Sequence, residues 1–235
     1  MEYNKNKINN RDQQEMAFIM YHDPDGVLAA IFASMPLKLK QHCIRVGSVA
    51  GIIAAHAPEN AIAANMTRQE YVNAVRYGGF YHEIGSYLVH NQWVEYPAAG
   101  SKILETEISA EKVPEPIRRV ILETVGYFRE RYDGSGHPNH WSGQQIPFHA
   151  GICAIANTVD IIANGESHFQ QRTMDEIIDY ICKNEGTIFL PKAVVGFKEA
   201  TQQIYTIYLS WDEMPPIWHY NDLKPLNRPI NKIIG

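Results

Sequence analysis

The feature that most limits this chain's fold is a series of stretches with helical periodicity, each opened by a recognisable start signal. No alternating strand pattern of any length accompanies them. From Leu37 to His56, the residues His42, Val46, Val49, Ile53 and His56 fall on one helical face. Thr67-Arg68-Gln69-Glu70 is a capping box that opens a second helix through Val75 and Tyr81, with Gly78 and Gly79 implying close backbone packing just before His82. Pro114 to Tyr132 reads as a third helix with Ile117, Ile121, Thr124 and Phe128 on one face. Gly151 to Ala163 is apolar on nearly every side, as a central buried helix would be. Thr173 to Glu176 is another capping box, and Pro191 suits the first turn of a helix running to Tyr208. The fold expectation is all-α, a helical bundle with an extended C-terminal tail.

Three regions follow. Residues 1–36 form a polar N-terminal segment and a helix, with a turn at Asp23-Pro24-Asp25-Gly26; residues 37–209 form the helical domain; residues 210–235 form a tail rich in proline and aromatic residues. Apolar residues make up 45% of the chain, enough for a real core. With 21 basic against 26 acidic residues the formal charge is −5, which argues against a phosphate-tracking nucleic-acid binder. No apolar run reaches the roughly 20 residues of a membrane helix, and the polar start lacks the apolar core of a signal peptide. Cys43, Cys153 and Cys182 lie far apart in apolar segments, as reduced core thiols do, and the expected compartment is the cytoplasm.

The sharpest local chemistry is His82-Glu83, read as lying inside a helix. Neighbouring imidazole and carboxylate can hold a divalent cation if another helix brings a ligand, and His42 is the candidate. A buried histidine bonded to a backbone carbonyl is the plainer account of His42 taken alone. His137, His140 and His149 follow no zinc spacing. There is no nucleophile elbow or serine triad. Arg118, Arg119 and Lys112 read as a solvated helix face. Arg129 and Arg131 stand between that account and a phosphate-binding role.

Several segments, in order, resemble a known family. His42-Cys43-Ile44-Arg45-Val46 resembles the H-x-x-R-V helix of HD-superfamily phosphohydrolases, and Tyr81-His82-Glu83-Ile84-Gly85 is similar to their HDIG step. Glu130 to Pro138 resembles the ERWDGSGYP signature of the HD-GYP subfamily. Gly143 to Pro147, Ile152 to Asn164 and Gly186 to Phe189 resemble its GxxIP, ILAVADVFDALT and GTQFDP segments. The resemblance implies an HD-domain-like bundle and, in the family, metal-dependent hydrolysis of cyclic di-GMP.

Carried over residue by residue, the family's metal ligands are mostly replaced. His42 and His82 are kept and the family aspartate is Glu83. A family histidine is Tyr96, the paired histidines are Phe128 and Arg129, and a second aspartate is Asn157. Lys38 stands where some members have glutamate, Ser86 where they have a phosphate-contacting lysine, and His137 where they have the tyrosine of GYP. The resemblance therefore implies a catalytically degenerate regulatory module with no cofactor, or at most one divalent cation (Mn, Fe, Mg or Zn) on His42, His82 and Glu83. Arg129 would substitute electrostatically for the lost ion and hold Glu83. Ligand-contact candidates are Arg129, Arg131, Asn157, Tyr96 and Ser86, for a cyclic dinucleotide or another phosphate-containing ligand. Asp133, Gly134, Gly136, His137 and Pro138 are the candidate contact for a protein partner such as a diguanylate cyclase domain. The alternative is a weak or altered metal-dependent phosphohydrolase; a ligand-free homodimer is a third reading.

Overall fold

The computed structural model describes residues 26–62, 65–86, 95–108, 110–111, 113–165 and 172–210. The polar N-terminal segment, His90, Lys112 and the aromatic tail lie outside these. The described chain is helical: α1 (Val27–Ser34), α2 (Leu37–Ala55), α3 (Arg68–Tyr81), α4 (Tyr96–Glu107), α5 (Glu115–Tyr127), α6 (Phe148–Ala163), α7 (Met174–Lys183) and α8 (Pro191–Ser210). Among the described residues there is no strand, only the isolated bridges Asp133–Ser142 and Glu185–Phe189.

The helix starts follow the local chemistry. Thr67 and Thr173 each accept a hydrogen bond from the backbone N–H three residues on, while Glu70 and Glu176 bond back to their backbones. Proline occupies the first turn of α4 and α5 and precedes α2 and α6, where its missing N–H costs nothing. The third predicted helix is shorter than the sequence implies. It ends at Tyr127, and residues 128–145 form a turn-rich loop. Helix α4 was not foreseen.

Helix α2 packs on α3, α6 and α8, and α5 packs on α3, α4 and α6. The predicted face of α2 is buried at His42, Val46, Val49 and Ile53, and His56 caps its end. The paired glycines of α3 act as expected. A Cβ on Gly78 would lie 2.5 Å from Thr124 Cβ, and one on Gly79 would lie 3.0 Å from Gly47 Cα. Those approaches bring α3 close to α2 and α5 where α3 ends, and so set the position of His82. Cys43 and Cys153 are buried free thiols; Cys182 is half-buried and free. No described helix is long and apolar enough to cross a membrane.

Candidate functional site

His82 and Glu83 do not lie inside a helix. Helix α3 ends at Tyr81, His82 is its C-cap, and residues 82–86 turn away. This departure matters, because adjacent helical side chains point apart. From a turn both reach one point, and His42 of α2 meets them there. His42, His82 and Glu83 offer ligand atoms within 4.8 Å of one another.

The hydrogen bonds fix both imidazole tautomers. A carboxylate and a carbonyl only accept, so His42 Nδ1–H donates to Asp160 Oδ2 (2.7 Å) and His82 Nδ1–H donates to the Gly79 carbonyl (2.7 Å). The remaining nitrogens face each other, Nε2 to Nε2, at 3.1 Å. In neutral rings both carry lone pairs there. Burial pushes the His82 imidazole down to about 4, against the raising effect of Glu83, so it is neutral near pH 7. Two lone pairs meeting at that distance call for a cation or a shared proton between them.

Asn157 lies beside His82, with which its side chain interacts, and its Oδ1 is buried. A divalent cation with bonds of about 2.1 Å holds neighbouring ligand atoms roughly 3.0–3.4 Å apart, close to the spacing of the two Nε2 atoms. The outer bonds to a carboxylate and a carbonyl are those that orient metal-binding histidines. Two imidazoles and one carboxylate therefore fit a single divalent ion, with the Asn157 amide beside His82.

The surroundings of this pair have a different character. Phe128 is 2% exposed and its ring stands edge-on to His82 at 4.9 Å. The Tyr96 hydroxyl donates to Glu83 Oε1 at 2.7 Å. Burial and then the Glu83 charge push its phenol well above the ordinary range, so it remains a donor. The Arg129 guanidinium lies 4.6 Å from the centre of the Tyr96 ring. The Glu83 carboxylate, which the sequence reading pairs with Arg129, accepts from Tyr96, the ring on which the Arg129 guanidinium lies. Ser86 turns back to the Glu83 carbonyl through its hydroxyl (2.7 Å), and Arg131 is exposed.

Sequence reasoning missed Asp160. It is fully buried and accepts from His42, from Arg45 through Nε and Nη2, from Asn164 and from the Tyr208 hydroxyl. Burial pushes its carboxyl up, but the His42 and Arg45 bonds overcome this and leave it below the ordinary value. The available signal was His42 and Arg45, three apart on a buried face: a buried arginine requires a buried acid.

The candidate partner loop is tightly held. Buried Glu130 accepts from the backbone N–H groups of Asn139 (2.7 Å) and Trp141 (3.1 Å). Asp133 accepts from the Ser135 N–H and hydroxyl, and the Tyr132 and Asp133 N–H groups donate to Ile188 and Thr187. Gly134 takes a φ of 82°, suited to glycine. Gly136 is buried, and a Cβ there would lie 2.2 Å from Arg131 N. Asp133 is exposed, while His137 and Pro138 are half-buried. Arg118 is not a solvated cation, since it clamps the carbonyls of Glu105 and Ile108.

Comparisons with known proteins agree with this architecture. Residues 82–192 match the family described as HD domain. Over 78 residues the chain is 33% identical to the cyclic di-GMP phosphodiesterase response regulator RpfG of Xanthomonas campestris pv. campestris, covering 33% of this chain and 21% of that protein. It is 32% identical over 78 residues to the 3'3'-cGAMP-specific phosphodiesterase 2 of Vibrio cholerae, covering 33% of this chain and 15% of that protein. It is 21% identical over 187 residues to the cyclic di-GMP phosphodiesterase of Thermotoga maritima, covering 73% of this chain and 47% of that protein. The chain thus aligns with less than half of each relative's length. A crystal structure of the cyclic GMP-AMP specific phosphodiesterase V-cGAP3 of V. cholerae shares the fold, with TM-score 0.55 and 14% identity, over 87% of this chain and 54% of that one.

Proposed function

We propose that this chain, which carries an HD domain, is a catalytically reduced regulatory module. It binds a cyclic dinucleotide or a related phosphate ligand without efficient turnover, and holds at most one divalent cation. The observation that carries this reading is the sealing of Phe128 against His82, with Tyr96 on Glu83 and Arg129 on Tyr96. The resemblance gives all three positions to further metal ligands. An arene offers no lone pair, a phenol kept protonated is a poor ligand, and a guanidinium repels a second ion. Arg129 and Arg131 supply charge for phosphate, and the Asp133 to Pro138 loop, whose flanks Glu130 ties together, is the candidate contact for a protein partner.

A specific observation favours a second reading, an altered phosphohydrolase with one cation: the facing Nε2 atoms, with the Glu83 carboxylate in the same cluster. His42, His82 and Glu83 would hold the ion, with Asn157 beside them. When bound, such an ion supplies Lewis acidity and a water of lowered pKa. The chain's own contribution is orientation: Asp160 and Gly79 fix the two rings, and Tyr96 fixes Glu83.

One experiment separates the two. Protein purified without chelator is assayed for binding and hydrolysis of cyclic di-GMP and 3'3'-cGAMP with added Mn2+. Binding without turnover is the expected result. Turnover that disappears in His82→Ala would establish the enzyme instead.

A further inference from the structure

We propose that Asp160 is the positioning residue for His42, and that Tyr208 couples the end of the C-terminal helix to the site through the Asp160 carboxylate. The proposal rests on His42 being a site residue, as argued above.

The geometry is that of one acceptor shared by three helices. His42 and Arg45 come from α2, Asp160 and Asn164 from α6, and Tyr208 from the last turn of α8. Oδ2 accepts from His42 Nδ1 at 2.7 Å and from Arg45 Nη2 at 3.0 Å. Oδ1 accepts from Arg45 Nε, from the Tyr208 hydroxyl at 2.8 Å and from Asn164 Nδ2 at 3.2 Å. Five donors compete for a carboxylate that offers about four lone-pair sites. No spare capacity is left, so a donor that moves is felt by the others. Arg45 bridges both oxygens, and a change at the Tyr208 side of the carboxylate is carried through it to the His42 side.

The consequence at His42 concerns direction. Its Nε2 faces His82 only while Nδ1–H is tied to Asp160. Asp160 therefore sets which nitrogen is presented to the site and the plane in which it lies. Tyr208 is 48 residues from Asp160 in sequence. Its hydroxyl makes the seating of the end of α8 part of the definition of the site. Coupling of this kind is reciprocal: what fixes His42 also fixes the last turn of α8.

The test uses the full chain and reads the ring nitrogens of His42 and His82 by NMR, first without added metal. The expected wild-type signature is Nδ1–H on both rings. Tyr208→Phe removes one oxygen and is expected to shift His42 Nδ1, while the Nδ1–H of His82, held by the Gly79 carbonyl, is kept. Tyr205→Phe, at an exposed position of the same helix, is expected to shift neither. Asp160→Asn is expected to lose the single Nδ1–H form of His42. A second arm measures Zn2+ affinity, expected to weaken on the order of tenfold in Tyr208→Phe. His42 signals in Tyr208→Phe that coincide with those of wild type would overturn the coupling, and an unchanged His42 tautomer in folded Asp160→Asn would overturn the positioning role. A wild type that binds no Zn2+ would count against the cation reading of the site, while the metal-free spectra would still decide the proposal.

Discussion

The Nε2 atoms of His42 and His82 lie 3.1 Å apart, while the other nitrogen of each ring is committed to Asp160 or to Gly79. Neither ring can turn its lone pair away without breaking a buried hydrogen bond. Whatever relieves the repulsion between them must sit between them. If it is a divalent ion, adding Zn2+ or Mn2+ raises the melting temperature. At a hundredfold excess over Kd the gain is about 2.7 kcal/mol. His82→Ala is expected to abolish it. Melting curves unmoved by any divalent ion would assign the gap to a shared proton.

The replaced positions can be restored. Phe128→His, Arg129→His and Asn157→Asp together return imidazole and carboxylate to sites now holding an arene, a guanidinium and an amide. Bound metal measured by mass spectrometry is expected to rise from one ion or fewer to about two per chain, as two-metal phosphoryl sites require. Phe128→Ala serves as the control for packing. It is expected to cost about 3–5 kcal/mol, as for other fully buried rings, without raising metal content. An unchanged stoichiometry in the triple variant would mean that the reduction is not confined to these ligands.

Gly85 holds the Tyr96 side of the site in place. A Cβ there would lie 1.9 Å from the Tyr96 carbonyl oxygen and 2.6 Å from Gly100 N, both backbone atoms that cannot swing aside. Gly85→Ala must push α4 away and stretch the bond from Tyr96 to Glu83. The expected cost is about 2–3 kcal/mol, read by urea unfolding, together with faster amide exchange across residues 96–100. A variant as stable as wild type would show that α4 can shift without loss.

Much of this architecture was legible in the sequence, because the signals were local. Both threonine capping boxes, the buried face of α2 and the paired glycines of α3 depend on residues a few positions apart. The meeting of His42, His82 and Glu83 was suggested by the adjacent imidazole and carboxylate and by His42 on a buried face, and the family resemblance pointed the same way. What the sequence hid was non-local. Asp160 is one acid in an apolar helix, and its partners Arg45 and His42 lie 115 and 118 residues away. Helix α4 opens with Pro97 and carries Gly100 in its interior, which locally reads as a turn. A Cβ on that glycine would lie 3.0 Å from Val125 Cγ1 and 3.1 Å from Gly85 N, both distant in sequence. The end of α3 at Tyr81 was hidden because no stop signal directly follows it: the first glycine beyond is Gly85, three residues past the His82 C-cap.

Away from the site, Glu123 of α5 joins α6 by accepting from His149 Nε2–H at 2.9 Å, with Arg119 Nε at 3.8 Å. Burial pushes the Glu123 carboxyl up, but the His149 bond and the charges of His149 and Arg119 outweigh it and hold it below its ordinary value. Burial, and after it the Glu123 charge, pushes the Tyr127 phenol up. With the folded value depressed, the unfolded chain takes up its proton first as pH falls. The contribution is therefore complete above the unfolded value, about 4.3, and is lost as pH drops through the folded one. Glu123→Gln is expected to lower stability near pH 7 by about 0.5–1 kcal/mol, a modest figure because the pair is partly open to solvent. The gap from wild type should close progressively below about pH 4.3. Thermal melts of both proteins between pH 3 and pH 7 check this, and a gap that stays constant across the range would mean that Glu123 stabilises the helix pair through packing rather than charge.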